Sequence, residues 1–182
     1  MFPSQFPSLA SARLALRQIT VGDQNHIFTG LSDPKITQFY GVSFETYEGT
    51  EEQMEWYEKL WQEQSGIWWA ICDKDEKQFF GACGYNEYQA EHHKIELGYW
   101  LLPQHWGQGY IQEALQMIIP FAFEQLHVER IEAFVETGNE ASDRVLLKQG
   151  FKHEGTMRNC EYKNDRFISL KVFGLLHSQQ TI

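Results

Sequence analysis

Residues 94–109 read KIELGYWLLPQHWGQG, and residues 110–126 read YIQEALQMIIPFAFEQL. An apolar strand-like run ends at Pro103, two glycines stand one residue apart at Gly107 and Gly109, and Ile111, Leu115, Ile118, Ala122 and Phe123 then recur near one face of a helix. A bare Gly-x-Gly is expected about once by chance in a chain this long, because glycine makes up about 7% of ordinary sequence. The flanks give it meaning. A strand that runs into a glycine turn and starts a helix aims several unpaired N–H groups, and the positive end of the helix dipole, at one point that suits a phosphate. A dinucleotide loop of the Rossmann kind needs a third glycine at position 112, which is Gln112, and lies early in a parallel sheet. No Gly-Lys-Ser/Thr follows, so a Walker A loop is excluded.

Outward from this stretch the pattern is mixed. Upstream, IWWAICD (67–73), QFFGACGYNEY (78–88) and KIELGYWLL (94–102) are three strands joined by the polar turns DKDEK and QAEHH, an antiparallel meander. Before them, RLALRQIT (13–20) alternates as a half-buried strand, and short helical pieces start at Asp23 and after Asp33-Pro34, where Asp caps and Pro takes the first helical position. Thr50-Glu51-Glu52-Gln53 has the form of a capping box and opens a helix over about 50–65 carrying Met54, Trp56, Tyr57, Leu60 and Trp61. Downstream, RIEAFVE is a strand, NEASDRVLLKQG a helix capped by Asn139 and closed by Gly150, and two further strands, FKHEGTMRNCEY and RFISLKVFGLL, meet at the turn Asn164-Asp165. Pro120 predicts a kink or an early stop in the helix after the glycine loop. The expectation is one domain over residues 1–182, α+β in class, with a mostly antiparallel sheet of about 6–7 strands and one β-α-β crossover at the glycine loop.

Composition narrows the function. A chain of 182 residues with 15 basic and 25 acidic side chains, net charge −10, repels nucleic acid and anionic membranes. An anionic ligand must be held locally, by backbone amides and a few cations. There is no apolar run of the length that a spanning helix needs, roughly 18 residues or more, and no signal-peptide pattern, so a cytoplasmic protein is expected. Cys72, Cys83 and Cys160 fit neither a disulfide framework nor a zinc pattern and are expected as reduced core or near-core thiols. His92-His93 are expected in solvent, with no metal site, and Trp68, Trp69 and Trp100 in the core.

IELGYWLLPQHWGQGYIQEAL resembles the signature segment of the GNAT superfamily of N-acetyltransferases: a bulged strand, then Gln/Arg-x-x-Gly-x-Gly/Ala, then a helix. VETGNEASDRVLLKQGFKHEG resembles that superfamily's next block, in which Asn-x-x-Ser opens a helix and Lys-x-Gly-Phe leads into a strand. The trailing CEYKNDRFISLKVFGLL narrows the likeness to the ribosomal-protein N-terminal acetyltransferases of the RimJ/RimL type. The resemblance implies the GNAT fold, with its bulged strand and pyrophosphate loop, and acetyl-coenzyme A as cofactor. Its pyrophosphate would meet the amides of Gln104, His105, Trp106, Gly107, Gln108, Gly109, Tyr110 and Ile111, and its pantetheine arm would lie along Trp100, Leu101 and Leu102. A backbone N–H near Leu101 would face the thioester oxygen. Asn139 and Ser142 would touch the coenzyme, and Arg144 and Lys148 would serve its 3'-phosphate.

Acyl transfer to an amine needs a base, because an α-amine with pKa about 8 or a lysine at about 10.4 arrives as ammonium. The resemblance gives this role to Glu96; read from the strand alone, Glu96 is a solvated carboxylate or the ion partner of Lys94. Ser142 is given the proton donor's role toward the departing thiolate, beside its plain place in the first turn of a helix, and Glu161 that of a second functional carboxylate, beside its plain reading as a polar strand residue. Two departures touch the acceptor end: Asn164-Asp165 replaces a glycine turn, and Ser169 replaces an aspartate. The resemblance implies a primary amine as acceptor, foremost a protein N-terminal α-amine; a small amine such as a polyamine, amino acid or aminoglycoside is the second reading, and a non-catalytic acyl-coenzyme A sensor the third. A homodimer is a family-level expectation.

Overall fold

The computed structural model describes residues 2–179. In chain order they form β1 (Leu9–Ala10), β2 (Leu14–Gln18), α1 (Gln24–Leu31), α2 (Pro34–Thr37), α3 (Glu51–Gln62), β3 (Ile67–Asp73), β4 (Phe79–Gln89), β5 (Lys94–Leu101), α4 (Tyr110–Glu124), β6 (Arg130–Glu136), α5 (Glu140–Lys148), β7 (Lys152–Lys163) and β8 (Arg166–Leu176). One sheet of eight strands has the order β1-β2-β3-β4-β5-β6-β8-β7. Every neighbouring pair is antiparallel except β5 and β6, which the α4 crossover makes parallel. The extra strand beyond the sequence expectation is β1, whose two residues are too few to show a period.

Helices cover both faces, and strand alternation sorts the core accordingly. On one face Trp69, Ile71, Tyr85, Ile95 and Leu97 pack with Leu115 and Ile118 of α4 and Leu146 of α5. On the other, Trp68, Ala70, Ala82 and Trp100 pack with Ile27 and Leu31 of α1 and Tyr57 and Leu60 of α3. The run IWWAIC is therefore continuously apolar because β3 is buried on both sides.

Local signals met mixed outcomes. Asp33 caps α2 as read, its carboxylate accepting from the Lys35 N–H at 2.8 Å with Pro34 at the first position. Asn164 and Asp165 make the hairpin turn with φ of 51° and 59°. The capping box at Thr50 does not form: the Thr50 hydroxyl donates to the Tyr47 carbonyl at 2.5 Å and accepts from Gln24 at 3.2 Å, and a 3-10 turn over Glu48–Thr50 leads into α3. A box forms instead at Thr20–Asp23, where Asp23 also takes two hydrogen bonds from Arg17, both 2.8 Å. Helix α4 runs through Pro120 to Glu124 rather than stopping. Pro120 lies on the exposed side, so the Gln116 carbonyl it frees is turned to water. Cys72 and Cys83 are buried, whereas Cys160 is exposed on β7; all three are free.

Candidate active site

The parallel ladder between β5 and β6 is short. It pairs Lys94 with Arg130, Ile95 with Ile131 and Glu96 with Glu132, and then stops, although β5 continues to Leu101 and β6 to Glu136. Beyond Glu96 the two strands part and open a gap through the sheet. An irregularity lies beside it in β4, between Asn86 and Gln89, where Glu87 has φ of 53°. The Leu102 N–H bonds the Phe80 carbonyl at 2.8 Å, so the alternation of an antiparallel pair turns the amides of Tyr99 and Leu101 toward the gap. Those amides are available to a ligand lying along β5.

A cavity of about 1040 Å³ occupies the gap and reaches both faces of the sheet. At one end are Trp106, Gly107 and Ile111 of the glycine loop and α4, with Asn139, Ser142 and Val145 of α5. Gly107 and Gly109 have φ of 72° and 79°, a backbone that side chains rarely adopt, and a Cβ on Gly107 would meet open space, so conformation alone demands glycine there. The Glu113 N–H makes the first bond of α4, to the Gly109 carbonyl at 3.1 Å, and leaves the preceding amides free of helix partners. Trp106 anchors the loop by donating its indole N–H to the Leu101 carbonyl at 2.7 Å. His105 packs tilted against Phe80 with ring centroids 4.3 Å apart, and burial lowers its pKa. Gln104 and Gln108 stand exposed at the loop's outer edge, joined by a bond from the Gln108 amide to the Gln104 carbonyl at 3.0 Å.

The two faces supply different chemistry. Glu96, Gly98 and Trp100 point toward the α1–α3 side; Tyr99 and Leu101 point toward α4 and α5. The Glu96 carboxyl is raised above the ordinary glutamate range, first by burial and further by the charges of Glu87, Glu132 and Glu161; a bond from Asn86 offsets this only in part. Lys94 does not pair with it. Its ammonium goes to Glu132 at 3.0 Å, and Arg130 holds the same carboxylate at 2.8 Å. Burial would raise Glu132 too, but these bonds reverse the effect and hold it low. Of the two carboxylates, Glu96 is thus the one left without a cation among the described residues, and it is suited to accept a proton.

On the other face the Tyr99 hydroxyl lies 2.7 Å from the Ser142 Oγ, and Asn139 caps α5 by accepting from the Ser142 N–H at 3.2 Å. Burial pushes the Tyr99 phenol up, and the bond to Ser142 pulls back only part of the way, so it stays protonated at neutral pH. Tyr99 escaped sequence reasoning, since nothing local ties it to a serine 43 positions away. Asn86 escaped it as well.

Other expected residues sit apart. Glu161 is exposed on β7 and does not border the cavity, though its charge reaches Glu96. Arg144 is largely exposed and pairs with Glu140 at 3.5 Å, and Lys148 is exposed; neither borders the cavity. The cation beside the glycine loop is Arg13, which donates to the Gln108 carbonyl at 3.1 Å, pairs with Glu113 at 2.5 Å and lies over the Tyr110 ring at 4.8 Å. Trp68 and Trp100 are buried as expected and also line the cavity, while Trp61 packs on Phe6 elsewhere.

A splayed parallel strand pair, a glycine loop opening a helix, and a half-buried carboxyl and a hydroxyl pair on opposite faces of the gap suit an acyl-coenzyme A-dependent transferase. The chain belongs to the GNAT family of acetyltransferases: the model of the acetyltransferase (GNAT) domain matches residues 13–152. A Bacillus subtilis N-acetyltransferase, YoaA, is 35% identical over 176 residues, 96% of this chain and 99% of its own. Among solved structures, a spermidine N-acetyltransferase from Vibrio cholerae in complex with CoA and spermine is similar with TM-score 0.82 at 20% identity, covering 93% of this chain and 98% of that one. RimL, a ribosomal L7/L12 α-N-protein acetyltransferase in complex with coenzyme A, is similar with TM-score 0.82 at 21% identity, covering 91% and 95%. The cofactor is acetyl-coenzyme A, and no helix among the described residues is long and apolar enough to cross a membrane.

Proposed function

We propose that this protein transfers acetyl from acetyl-coenzyme A to a primary amine by direct attack in a ternary complex, and that the amine is the α-amine of a protein or peptide N-terminus. The observation that carries the reading is the placement of Glu96 and of the Tyr99–Ser142 pair on opposite faces of one gap. The coenzyme supplies an activated acetyl group. Glu96 takes a proton from the incoming ammonium, whose nitrogen then bonds the acetyl carbon. The amides of Tyr99 and Leu101 receive the charge that develops on the acetyl oxygen. As the carbon–sulfur bond breaks, the hydroxyl pair gives a proton to a sulfur whose parent thiol has pKa about 8.5; the second proton lost by the acylated nitrogen restores the pair through solvent, and Glu96 releases its own proton to solvent.

An N-terminal acceptor is supported by the cavity's extent. Past Glu96 it continues along Phe39–Phe44 to exposed Lys35 and Gln38, which leaves room for a chain to leave the site. The RimL likeness agrees with this. The acidic end, where Glu52 joins Glu96 on the lining, supports the second reading of a small polyamine, in keeping with the spermidine enzyme's likeness. Thiol release with acetyl-coenzyme A, measured against N-terminal peptides and small amines with mass analysis of the product, tests both. Acetylated peptide bears out the first reading and acetylated small amine alone the second. Coenzyme binding with no acceptor-dependent release contradicts both and leaves a sensor.

A further inference from the structure

One wall of the acceptor end is a loop, residues 38–44, which follows α2 and borders the cavity along its whole length. Burial raises the Tyr40 phenol, and Tyr57 and the Glu96 carboxylate raise it further, so this ring stands on the same side of the gap as Glu96. Among the described residues no backbone hydrogen bond holds 40–43, and the course of the wall is therefore set at its ends. At the far end the Phe44 N–H bonds the Leu31 carbonyl at 3.0 Å.

The near end is held from across the gap. Lys163, at the tip of the β7–β8 hairpin, donates from its ammonium to the Gln38 carbonyl at 2.9 Å and also to the Glu136 carboxylate. Glu136 ends β6, the strand that parts from β5, and its side chain is only 3% exposed. A carboxylate so buried keeps its cation, because water cannot take the ammonium's place. Beside this contact the wall meets the turn between β6 and α5: a Cβ on Gly138 would stand 3.7 Å from Phe39 Cε1. One ammonium thus ties a wall that packs on the α1–α3 face, through Ile36, Tyr40 and Phe44, to the strand on the other side of the gap.

A second cation shows what is particular to Lys163. Arg166 faces it across the hairpin and bonds the same carboxylate at 3.1 Å, but among the described residues it makes no bond to the wall. The coenzyme end is fastened without either cation. There the Thr137 N–H bonds the Ser169 carbonyl at 2.9 Å, and the Asn139 N–H bonds the Glu136 carbonyl at 3.1 Å.

We propose that Lys163 is a positioning residue for the acceptor: its ammonium braces residues 38–44 against the end of β6 and so fixes how closely they stand to Glu96. The inference rests on the acetyl-transfer reading of the cavity. Lys163 touches no reacting atom. It acts through the wall, so its removal weakens acceptor binding and leaves coenzyme binding and the chemical step in place.

The test compares Lys163→Met with Arg166→Met. Calorimetry gives coenzyme A affinity, and thiol release gives kcat and KM for two probes, a peptide with a free N-terminal serine and spermidine. Chymotrypsin cleavage after Phe39, Tyr40 and Phe44, followed by mass analysis, reports on the wall directly. Lys163→Met is expected to raise acceptor KM about tenfold or more, the scale of a hydrogen bond from a charged group. It leaves kcat and coenzyme affinity at the parent's values and speeds cleavage of the wall. Arg166→Met takes a cation from the same carboxylate and does neither. If Lys163→Met fails to fold because Glu136 loses a partner, the same substitution in a Glu136→Gln background removes the stranded charge and is expected to show the same effects. Parental acceptor KM in Lys163→Met, or equal shifts in Lys163→Met and Arg166→Met, overturns the brace and leaves the acetyl-transfer reading standing. No acceptor-dependent thiol release from the parent overturns that reading for both acceptor classes; the cleavage comparison needs no acceptor and then decides the brace alone.

Discussion

Replacing Glu96 by glutamine separates its chemistry from its place in the fold. Glutamine keeps the side chain's shape and can still bond Asn86, but it takes no proton. None of the three neighbouring carboxylates can substitute: Glu132, across the ladder, is bonded by Lys94 and Arg130 and held low, and Glu87 and Glu161 are exposed outside the cavity. The whole of a general base's contribution is therefore lost, about 10²–10⁴-fold in kcat/KM, which is about 3–5 kcal/mol in the barrier. Coenzyme affinity is unchanged, because Glu96 lies on the face away from the glycine loop. The stability effect has the opposite sign. Burial raises Glu96 in the folded state, so its contribution is fully present below its unfolded pKa and is lost as pH rises through the higher folded value. At pH 8 the glutamine variant melts above the parent; near pH 4 the two converge. The assays are steady-state thiol release from pH 6 to 9, calorimetric titration with coenzyme A, and thermal melts at both pH values. Parental kcat/KM in the variant would remove Glu96 from the role of base, and a variant less stable than the parent at pH 8 would show that burial does not raise its pKa.

Three further outcomes rest on particular contacts. Tyr99→Phe and Ser142→Ala each lower kcat by about 10²-fold or more, and the double variant is no slower than the worse single one, because the 2.7 Å bond makes the two hydroxyls one relay; additive losses in a double-mutant cycle would dissolve the pair. Gly109→Ala must hold an L-residue at φ of 79°, costing about 1–2 kcal/mol, and titration calorimetry should show weaker coenzyme binding together with a lower melting temperature. Arg17→Met strands the buried Asp23 carboxylate, whose pKa the Arg17 bonds lower against burial, and denaturant unfolding at pH 7 should register a loss of about 3–5 kcal/mol. Since a lowered carboxylate contributes stability above its unfolded pKa and loses it as pH falls toward the folded one, the gap between parent and variant narrows below about pH 4.

What the sequence disclosed and what it hid divide along the range of the physics. Gly107 and Gly109, Asn139, Gly150 and Asn164-Asp165 were legible because backbone conformation restricts residue choice on the spot. The α4 face and the apolar β3 run were legible through their period. Thr50 misled because its hydroxyl is claimed by Gln24, 26 residues earlier. Lys94 looked like a partner for Glu96 within one strand, but the parallel ladder offers it Glu132 from β6. The pairing of Tyr99 with Ser142, the approach of Arg13 to the glycine loop and the spread of Trp68 over two glycines arise only when distant segments meet, and no local composition marks them.

If the gap where β5 parts from β6 is the reaction centre, a crystal structure of the protein with coenzyme A will show it. The pyrophosphate is expected at the amides around Gly107–Ile111, the pantetheine arm along Tyr99–Leu101, and the thiol within reach of Ser142 with Glu96 across the gap. Coenzyme bound elsewhere, or β5 and β6 closed into a continuous ladder beyond Glu96 and Glu132, would place the reaction somewhere other than this gap.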